Sequence, residues 1–372
     1  GDWSSDVCSS DLASDPELIA LAKAQGAEGI NLCGMCCTGN EITMRHGIKM
    51  AGNFLQQELA IVTGAVEAVI VDVQCIMPSL ATLSKSYHTK FITTSPKAEI
   101  TGSIYMELDE DDALNSAKGI VKEAILNYKN RNRDNVLIPE MKSEAIVGFS
   151  TETIINALDG VVNSNIGPMQ SVKPLADVIV AGVIRGAAAV VGCNNPKVAH
   201  DDSIVRTIKN LIAHDVIVVV TGCAAHAAAK AGLLTLEAAK LAGPGLSTVC
   251  KLVGIPPVLH TGSCVDISRN LELVGMVANH LGVDMSELPV VGSAPEWMSE
   301  KAVAIGMYVV GSGIDTWLGV VPPVTGSPIV VDYLTNKMQD IYGASFFIEE
   351  DPDKSAEQMI ARIEEKRTKL GI

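Results

Sequence analysis

From residue 15 onward, segments with helical spacing alternate with short apolar runs rich in Val and Ile. DPELIALAKAQGA (15–27) opens the helical pattern. VEAVIVD (66–72) reads as a strand, PSLATLSKSY (78–87) as a helix, and KFITT (90–94) as a second strand. DDALNSAKGIVKEAILNYKN (111–130) has the spacing of a long amphipathic helix. The polar stretch KNRNRDN (129–135) leads to Pro139 and then to EAIVGFS (144–150), read as a new strand, so a domain boundary is expected near residue 140. Beyond it, GAAAVVG (186–192), VIVVVTG (216–222), PPVLHTG (256–262) and LPVVGSA (288–294) are apolar runs closed by small residues. Between them, SIVRTIKNLIAH (203–214), AAHAAAKAGL (224–233) and VDISRNLELVGMVANHLG (265–282) have helical period. Alternation of this kind predicts an α/β fold whose parallel sheet is covered on both faces. SAEQMIARIEEKRTKL (355–370) reads as a closing surface helix.

The first dozen residues, GDWSSDVCSSDL, are polar and serine-repeating, without periodicity. They read as a disordered or non-native leader (1–12), of the kind an assembly artefact leaves, with Cys8 inside it. The expected domains are then 13–140 and 141–372, and the natural chain is expected to extend further upstream.

Composition narrows the class. Hydrophobic residues make up 48% but aromatics only 4%, with 32 glycines, which suits helices packed closely on parallel sheets better than a β-sandwich. The net charge is −15 and no basic run interleaves with aromatics, which argues against a nucleic-acid partner. No stretch has the length and apolarity of a transmembrane segment and no signal peptide opens the chain, so a cytoplasmic location is expected.

Nine cysteines without a secretory signal argue for reduced thiols. Their positions follow the strands: Cys75 comes after VIVDVQ, Cys193 after AAVVG, Cys223 after VVVTG, Cys264 after VLHTGS, and Cys36 and Cys37 after GINLCGM. Ligands of open α/β sheets bind outside the carboxyl ends of the strands, so these thiols are candidates to converge. A lone case would read more readily as a core cysteine; the recurrence favours a site. Glycine precedes Cys193 and Cys223, allowing backbone to approach a bulky inorganic core. Cys33 and Cys250 lack the full pattern and read as structural. Soft thiolates from so many elements, without CxxC repeats, suit an iron–sulfur or mixed-metal cluster.

The segments NLCGMCCTGNEITMRHG, VVDVQCIMPSLA, VVGCNNPK, VVVTGCAAHAAAKAGL, VLHTGSCVDISRN and SAPEWMSEKAVAIG together resemble the catalytic subunit of the anaerobic nickel–iron carbon monoxide dehydrogenases, from about residue 13 to 372. The resemblance implies two Rossmann-like, three-layer α/β domains with mostly parallel sheets. It also implies a nickel-, iron- and sulfide-containing cluster. Cys75, Cys193 and Cys223 would hold its cubane irons, Cys37 the iron outside the cubane, and Cys264 the nickel; Cys36 is then a neighbour. A histidine ligand of the outer iron, and a cysteine-rich region with further 4Fe-4S clusters, belong in the family to segments before the one matched by residues 15–41. One of those clusters is shared between the subunits of a homodimer.

The activity implied is the reversible oxidation of carbon monoxide with water to carbon dioxide, two protons and two electrons, passed to a ferredoxin-like acceptor. Developing negative charge then needs a donor. SAPE (293–296) has capping-box form, with Ser293 at the N-cap and Lys301 in the second turn of the helix that follows. Taken alone, Lys301 would read as a surface lysine. The match of SEKAVAIG implies a lysine that hydrogen-bonds the substrate oxygens, with Ile305, one turn on, as an apolar wall beside the nickel. His226, on the first turn after Cys223, and His260, before the Cys264 motif, are candidates for supporting roles. His46 follows Cys37 in a helical segment, His88 is expected at a surface or sheet edge, and His200, His214 and His280 read as ordinary helix or surface residues. Trp297 stands where a smaller residue is expected, and would fill a pocket behind the lysine helix.

Two other readings compete. A nicotinamide-dependent oxidoreductase would share the fold, but no strand runs into GxGxxG followed by an acidic residue. A truncated, non-catalytic chain that keeps the fold without a complete cluster is the other.

Overall fold

In the computed structural model the chain forms two compact units, Gly1–Met141 and Lys142–Ile372. The structure describes residues 12–73, 75–162 and 171–372, the side chains of 158–162 excepted. Most of the stretch read as a leader, Cys8 included, lies outside the described residues. Its last residue, Leu12, is buried in the cluster of Leu18, Ala22, Ala117, Val121 and Ile125.

The first unit has two small parallel sheets. β1 (Gly34–Met35) pairs with β2 (Met50–Gly52), while β3 (Ala68–Val71), β4 (Lys90–Thr93) and β5 (Ile104–Tyr105) form a three-stranded sheet in that order. The helix Pro16–Ala24 starts where Asp15 accepts from the N–H groups of Glu17 and Leu18 (2.9 and 3.1 Å) and proline fixes the first turn. It lies along the helix Ala113–Asn127, burying Leu18 and Ala22 against Ala117, Val121 and Ile125. The side-chain amide of Asn127 donates to Glu67 O (2.8 Å), tying that helix to the chain entering β3.

The second unit is built on one sheet of six parallel strands: β6 (Gly186–Val190), β7 (Val216–Val220), β8 (Val258–His260), β9 (Val290–Ala294), β10 (Thr316–Leu318) and β11 (Phe346–Ile348). They lie in the order β11-β10-β9-β6-β7-β8. Counted from β6 this is 3-2-1-4-5-6, the dinucleotide-fold order, with its reversal between β6 and β9. The central strands read GAAAV and VIVVV because both of their faces are covered. Helices Thr151–Val162, Lys173–Val180, Asp202–Ala213, Pro244–Val253, Ile267–Leu281 and Pro352–Leu370 accompany the sheet, and the main core joins Val190, Val218, Val220 and Val258 to Ile208, Leu211, Leu246 and Ile363. Both units are thus α/β with parallel strands, as expected. Among the described residues, no helix is long and apolar enough to cross a membrane.

Several expectations are corrected. EAIVGFS is not a strand: it makes a single parallel bridge, Val147 to His260, and Phe149 N donates to His260 O (3.2 Å). PSLATLSKSY is helical only over Leu80–Leu83 and a tighter turn at Ser84–Ser86. β10 and β11 were not anticipated; at three residues each they are too short to show a period. Nor does the closing helix merely lie on the surface. Its Lys366 and Arg367 are buried, the first 3.3 Å from Asp315 and the second donating to Ile179 O (2.7 Å) and Arg185 O (3.1 Å). Asp315 is fully buried and also accepts from Arg362 Nε (2.8 Å) and Ser345 N (3.2 Å). Burial holds the Lys366 ammonium below its ordinary pKa, with Asp315 opposing the shift.

Breaking a buried ion pair leaves uncompensated charge and costs about 3–5 kcal/mol. Asp315→Asn should therefore lower the urea midpoint of the second unit by an amount equivalent to about 3 kcal/mol, with the m-value unchanged. A loss within 0.5 kcal/mol would mean that Lys366 finds other acceptors.

Candidate metal centre

At the carboxyl ends of β6, β7 and β8 the chain turns on glycine and then presents a thiol. Cys193 follows Gly192, Cys223 follows Gly222, and Cys264 follows the turn at Gly262 and Ser263. All three cysteines are buried, and none is in a disulfide. Their loops interlock: Ala224 N donates to Gly192 O (3.2 Å) and Gly222 N to Gly262 O (3.1 Å). Gly222 has φ +61°, and a Cβ there would overlap Cys264 Sγ. The sulfur of the third loop therefore rests on the backbone of the second, next to Cys223. A capping box holds Cys264 in place, with Ser263 N and Oγ donating to Asp266 Oδ2 (2.6 and 2.9 Å).

The loop after β9 closes on the same group. Ser299, and not Ser293, caps the helix Glu300–Gly311; its Oγ accepts from Ala302 N (3.4 Å) and lies 3.4 Å from Cys193 Sγ. Ser293 is instead buried within β9. SAPE was read as a cap because its spacing fits one, but the apolar run before it carries the strand through Ala294. Lys301 consequently lies in the first turn of its helix, half-buried, one turn before Ile305. Ile305 packs at the edge of the cluster formed by Ile267, Leu271, Val309 and Ile314. Trp297 is buried, its indole N–H donating to Val320 O (2.8 Å) and its carbonyl accepting from Asn195 Nδ2 (2.9 Å).

His226 lies on the helix Gly222–Lys230, and its Nδ1 is buried without a hydrogen-bond partner among the described residues. Burial, with Lys230 nearby, pushes its pKa down to about 4. It is therefore neutral at neutral pH. Between the ordinary value and about 4 the unfolded chain binds a proton that the folded one refuses, so this residue's contribution to stability falls as pH drops through that window. His200 is exposed and lies 3.1 Å from Asp201, which Lys230 also engages. His260 ends β8 and is buried.

The remaining candidates belong to the first unit. β1 leads straight into the helix Cys36–His46, which starts with Cys36 buried and Cys37 half-buried. Cys36 and Cys75 both hold left-handed backbone, φ 57° and 53°, uncommon for residues with a side chain. Gln57, which no sequence signal picked out, bridges them: its Nε2 donates to Cys36 Sγ (3.4 Å) and to Cys75 O, and its Oε1 accepts from Met77 N (3.2 Å). Cys33, read as structural, is exposed, whereas Cys250 is buried in the core. His88 is turned inward, 3.1 Å from Glu67, which also holds Arg131 (2.7 Å).

Among the described residues, no three His, Cys, Asp or Glu side chains are gathered closely enough to hold one metal ion. Ligands of a cubane stand farther apart, because each thiolate binds its own iron. Three buried thiols without disulfides, in a cradle where even a methyl group would overlap sulfur, have the donor chemistry of such a cluster.

Residues 10–353 match the sequence pattern of the Prismane/CO dehydrogenase family. The chain belongs to that family. Carbon monoxide dehydrogenase 1 of Methanosarcina acetivorans is 57% identical over 360 residues, 97% of this chain and 56% of its own length. Carbon monoxide dehydrogenase 1 of Carboxydothermus hydrogenoformans is 47% identical over 359 residues, 94% of this chain and 56% of its own. Among solved structures, a nickel-free carbon monoxide dehydrogenase from Thermococcus sp. AM4 superposes with a TM-score of 0.92 at 53% identity, over 97% of this chain and 56% of that one. The chain thus spans little more than half the length of the relatives that it matches.

Gly222→Ala tests the cradle of this Prismane-family chain. The added methyl meets both an unfavourable φ and the Cys264 sulfur, so a loss of about 1–3 kcal/mol is expected in urea unfolding, with faster labelling of Cys264 by a thiol reagent. Unchanged labelling would show that Cys264 is placed by other contacts.

Proposed function

We propose that this chain is the cluster-bearing part of an anaerobic nickel–iron carbon monoxide dehydrogenase, and that the whole protein reversibly oxidises carbon monoxide with water to carbon dioxide, two protons and two electrons. What carries the reading is the row of buried thiols after three adjacent parallel strands, where an open α/β sheet binds its ligand. In this reading Cys193 and Cys223 hold irons and Cys264 holds nickel, and the resemblance assigns Cys37 and Cys75 of the first unit to the same cluster. When bound, such a cluster supplies the electron reservoir and the Lewis acidity that bring carbon monoxide and water together.

The chain's own groups do the rest. Lys301, in the first turn of its helix, donates to the oxygens on which negative charge develops. His226, kept neutral by burial three residues after Cys223, has a supporting role beside that loop. Ile305 supplies an apolar wall, and His260 fixes the end of β8 from which the Cys264 turn departs. In the whole protein the resemblance implies a homodimer whose 4Fe-4S clusters would connect the site to a ferredoxin-like acceptor. Cysteines that form no disulfide suit a reducing, cytoplasmic setting. The span relative to the curated relatives favours a second reading for this piece alone, that it keeps the fold without turning over.

In the metal-loaded whole protein, Lys301→Ala should keep nickel and iron near normal while carbon monoxide oxidation falls by about 10²–10³-fold, because the side chain serves the transition state and not the metal. Cys264→Ala should lose nickel first. Metal analysis and activity on the same samples separate the two roles; equal nickel loss in both variants would make Lys301 a structural residue.

A further inference from the structure

The loops after β6 and β9 meet around one carboxyl group. Glu296 is fully buried, and its Oε2 accepts from Asn194 Nδ2 (2.8 Å) and from Asp201 N (3.2 Å). Its Oε1 has no hydrogen-bond partner among the described residues, and neither has Oδ1 of Asn194; both atoms are buried. An ionised Glu296 would leave these two acceptors in one acid–amide pair without a donor between them. A carboxylic acid resolves both at once, because its carbonyl oxygen accepts while its hydroxyl donates. The amide N–H then engages Oε2, and Oε1–H donates to Oδ1.

The surrounding charges agree. The charged group acting on Glu296 is a second acid, Asp201, while the nearby cation, Lys230, and the His200 ring engage Asp201 instead. Burial outweighs the hydrogen bonds from Asn194 and Asp201, and the Ile204 N–H that lies beyond hydrogen-bond geometry, and raises the Glu296 pKa above its ordinary value.

We infer that Glu296 is carried as a neutral carboxylic acid bonded through both oxygens to the Asn194 amide, and that this pair positions Cys193 on one loop and the Lys301 helix on the other. Asn194 adjoins Cys193, and Glu296 opens the loop that reaches Ser299 and Lys301. A neutral clamp fits a place beside buried thiolates, where another anion would be repelled and would weaken whenever the charge of the site changed. The positioning half rests on the proposed roles of Cys193 and Lys301; the protonation half does not.

The test uses the metal-loaded whole protein with Glu296→Gln and Glu296→Ala. Gln reproduces the neutral acid's donor and acceptor; Ala removes both. Infrared difference spectra should show a protonated-carboxyl band at neutral pH that is missing from Glu296→Gln. Iron content and the cluster's electronic spectrum should be preserved in Glu296→Gln, while Glu296→Ala loses about ten-fold in metal retention or activity. A raised folded pKa also means that stability from this group falls as pH rises through that value, and Glu296→Gln should remove that slope. Absence of the band, or Glu296→Gln failing as badly as Glu296→Ala, overturns the inference. Parent protein without nickel or carbon monoxide oxidation would instead sink the proposed function and leave the infrared result standing.

Discussion

Close approach of backbone at the reversal of strand order is the constraint on which the second unit depends. The chain builds β6 at the centre, runs outward through β7 and β8, and returns to lay β9 on the other flank of β6. Four loops then crowd the carboxyl edge of the sheet, joined by hydrogen bonds from Ala224 to Gly192 and from Gly222 to Gly262, with no room for a Cβ at Gly222 or Gly262. Glycine at Gly222 is the residue that permits this, since its φ of +61° and the adjacent sulfur both exclude a Cβ. What remains in the crevice is sulfur, hydroxyl and amide. A fold that elsewhere receives a dinucleotide has been given over to soft ligands.

Much of this was readable in the chain, and the failures have local causes. β6 and β7 announced themselves as continuous Val and Ala runs because both of their faces are buried. The link between cysteines and strand ends was legible for the same reason. The cap at Ser293 was misread because a capping box and a strand end followed by an acidic residue look alike over four positions; Ser299, two residues before Lys301, carries the same signal more weakly. EAIVGFS has strand composition but finds only the end of β8 to pair with. Gln57 and Asn194 were invisible, since an amide that satisfies backbone groups or sulfurs far away in sequence leaves no periodic trace.

The first unit reaches a related result by other means. Cys36 and Cys75 hold left-handed backbone that costs of the order of 1–3 kcal/mol each and persists only where surroundings over-determine it. Gln57 supplies that determination, and Asn40 Nδ2 adds a bond to Cys36 O (2.7 Å). In both units the backbone that carries the sulfurs is held by close contacts and hydrogen bonds from distant residues. Substitutions that leave every cysteine in place can therefore still misplace them.

The buried ends of the helix Pro352–Leu370 bear on how such a protein is made. Arg367 holds the carbonyls of Ile179 and Arg185 on either side of the turn that enters β6, and Lys366 and Arg362 neutralise Asp315 just before β10. The sheet's central strand and its outer flank are thus fastened by a helix that follows all six of its strands in the chain. During synthesis the cysteine loops exist long before the layer that fixes them, so an emerging chain presents its thiols on an unfinished scaffold. On this topology the scaffold that holds those thiols is complete only once that helix has been made.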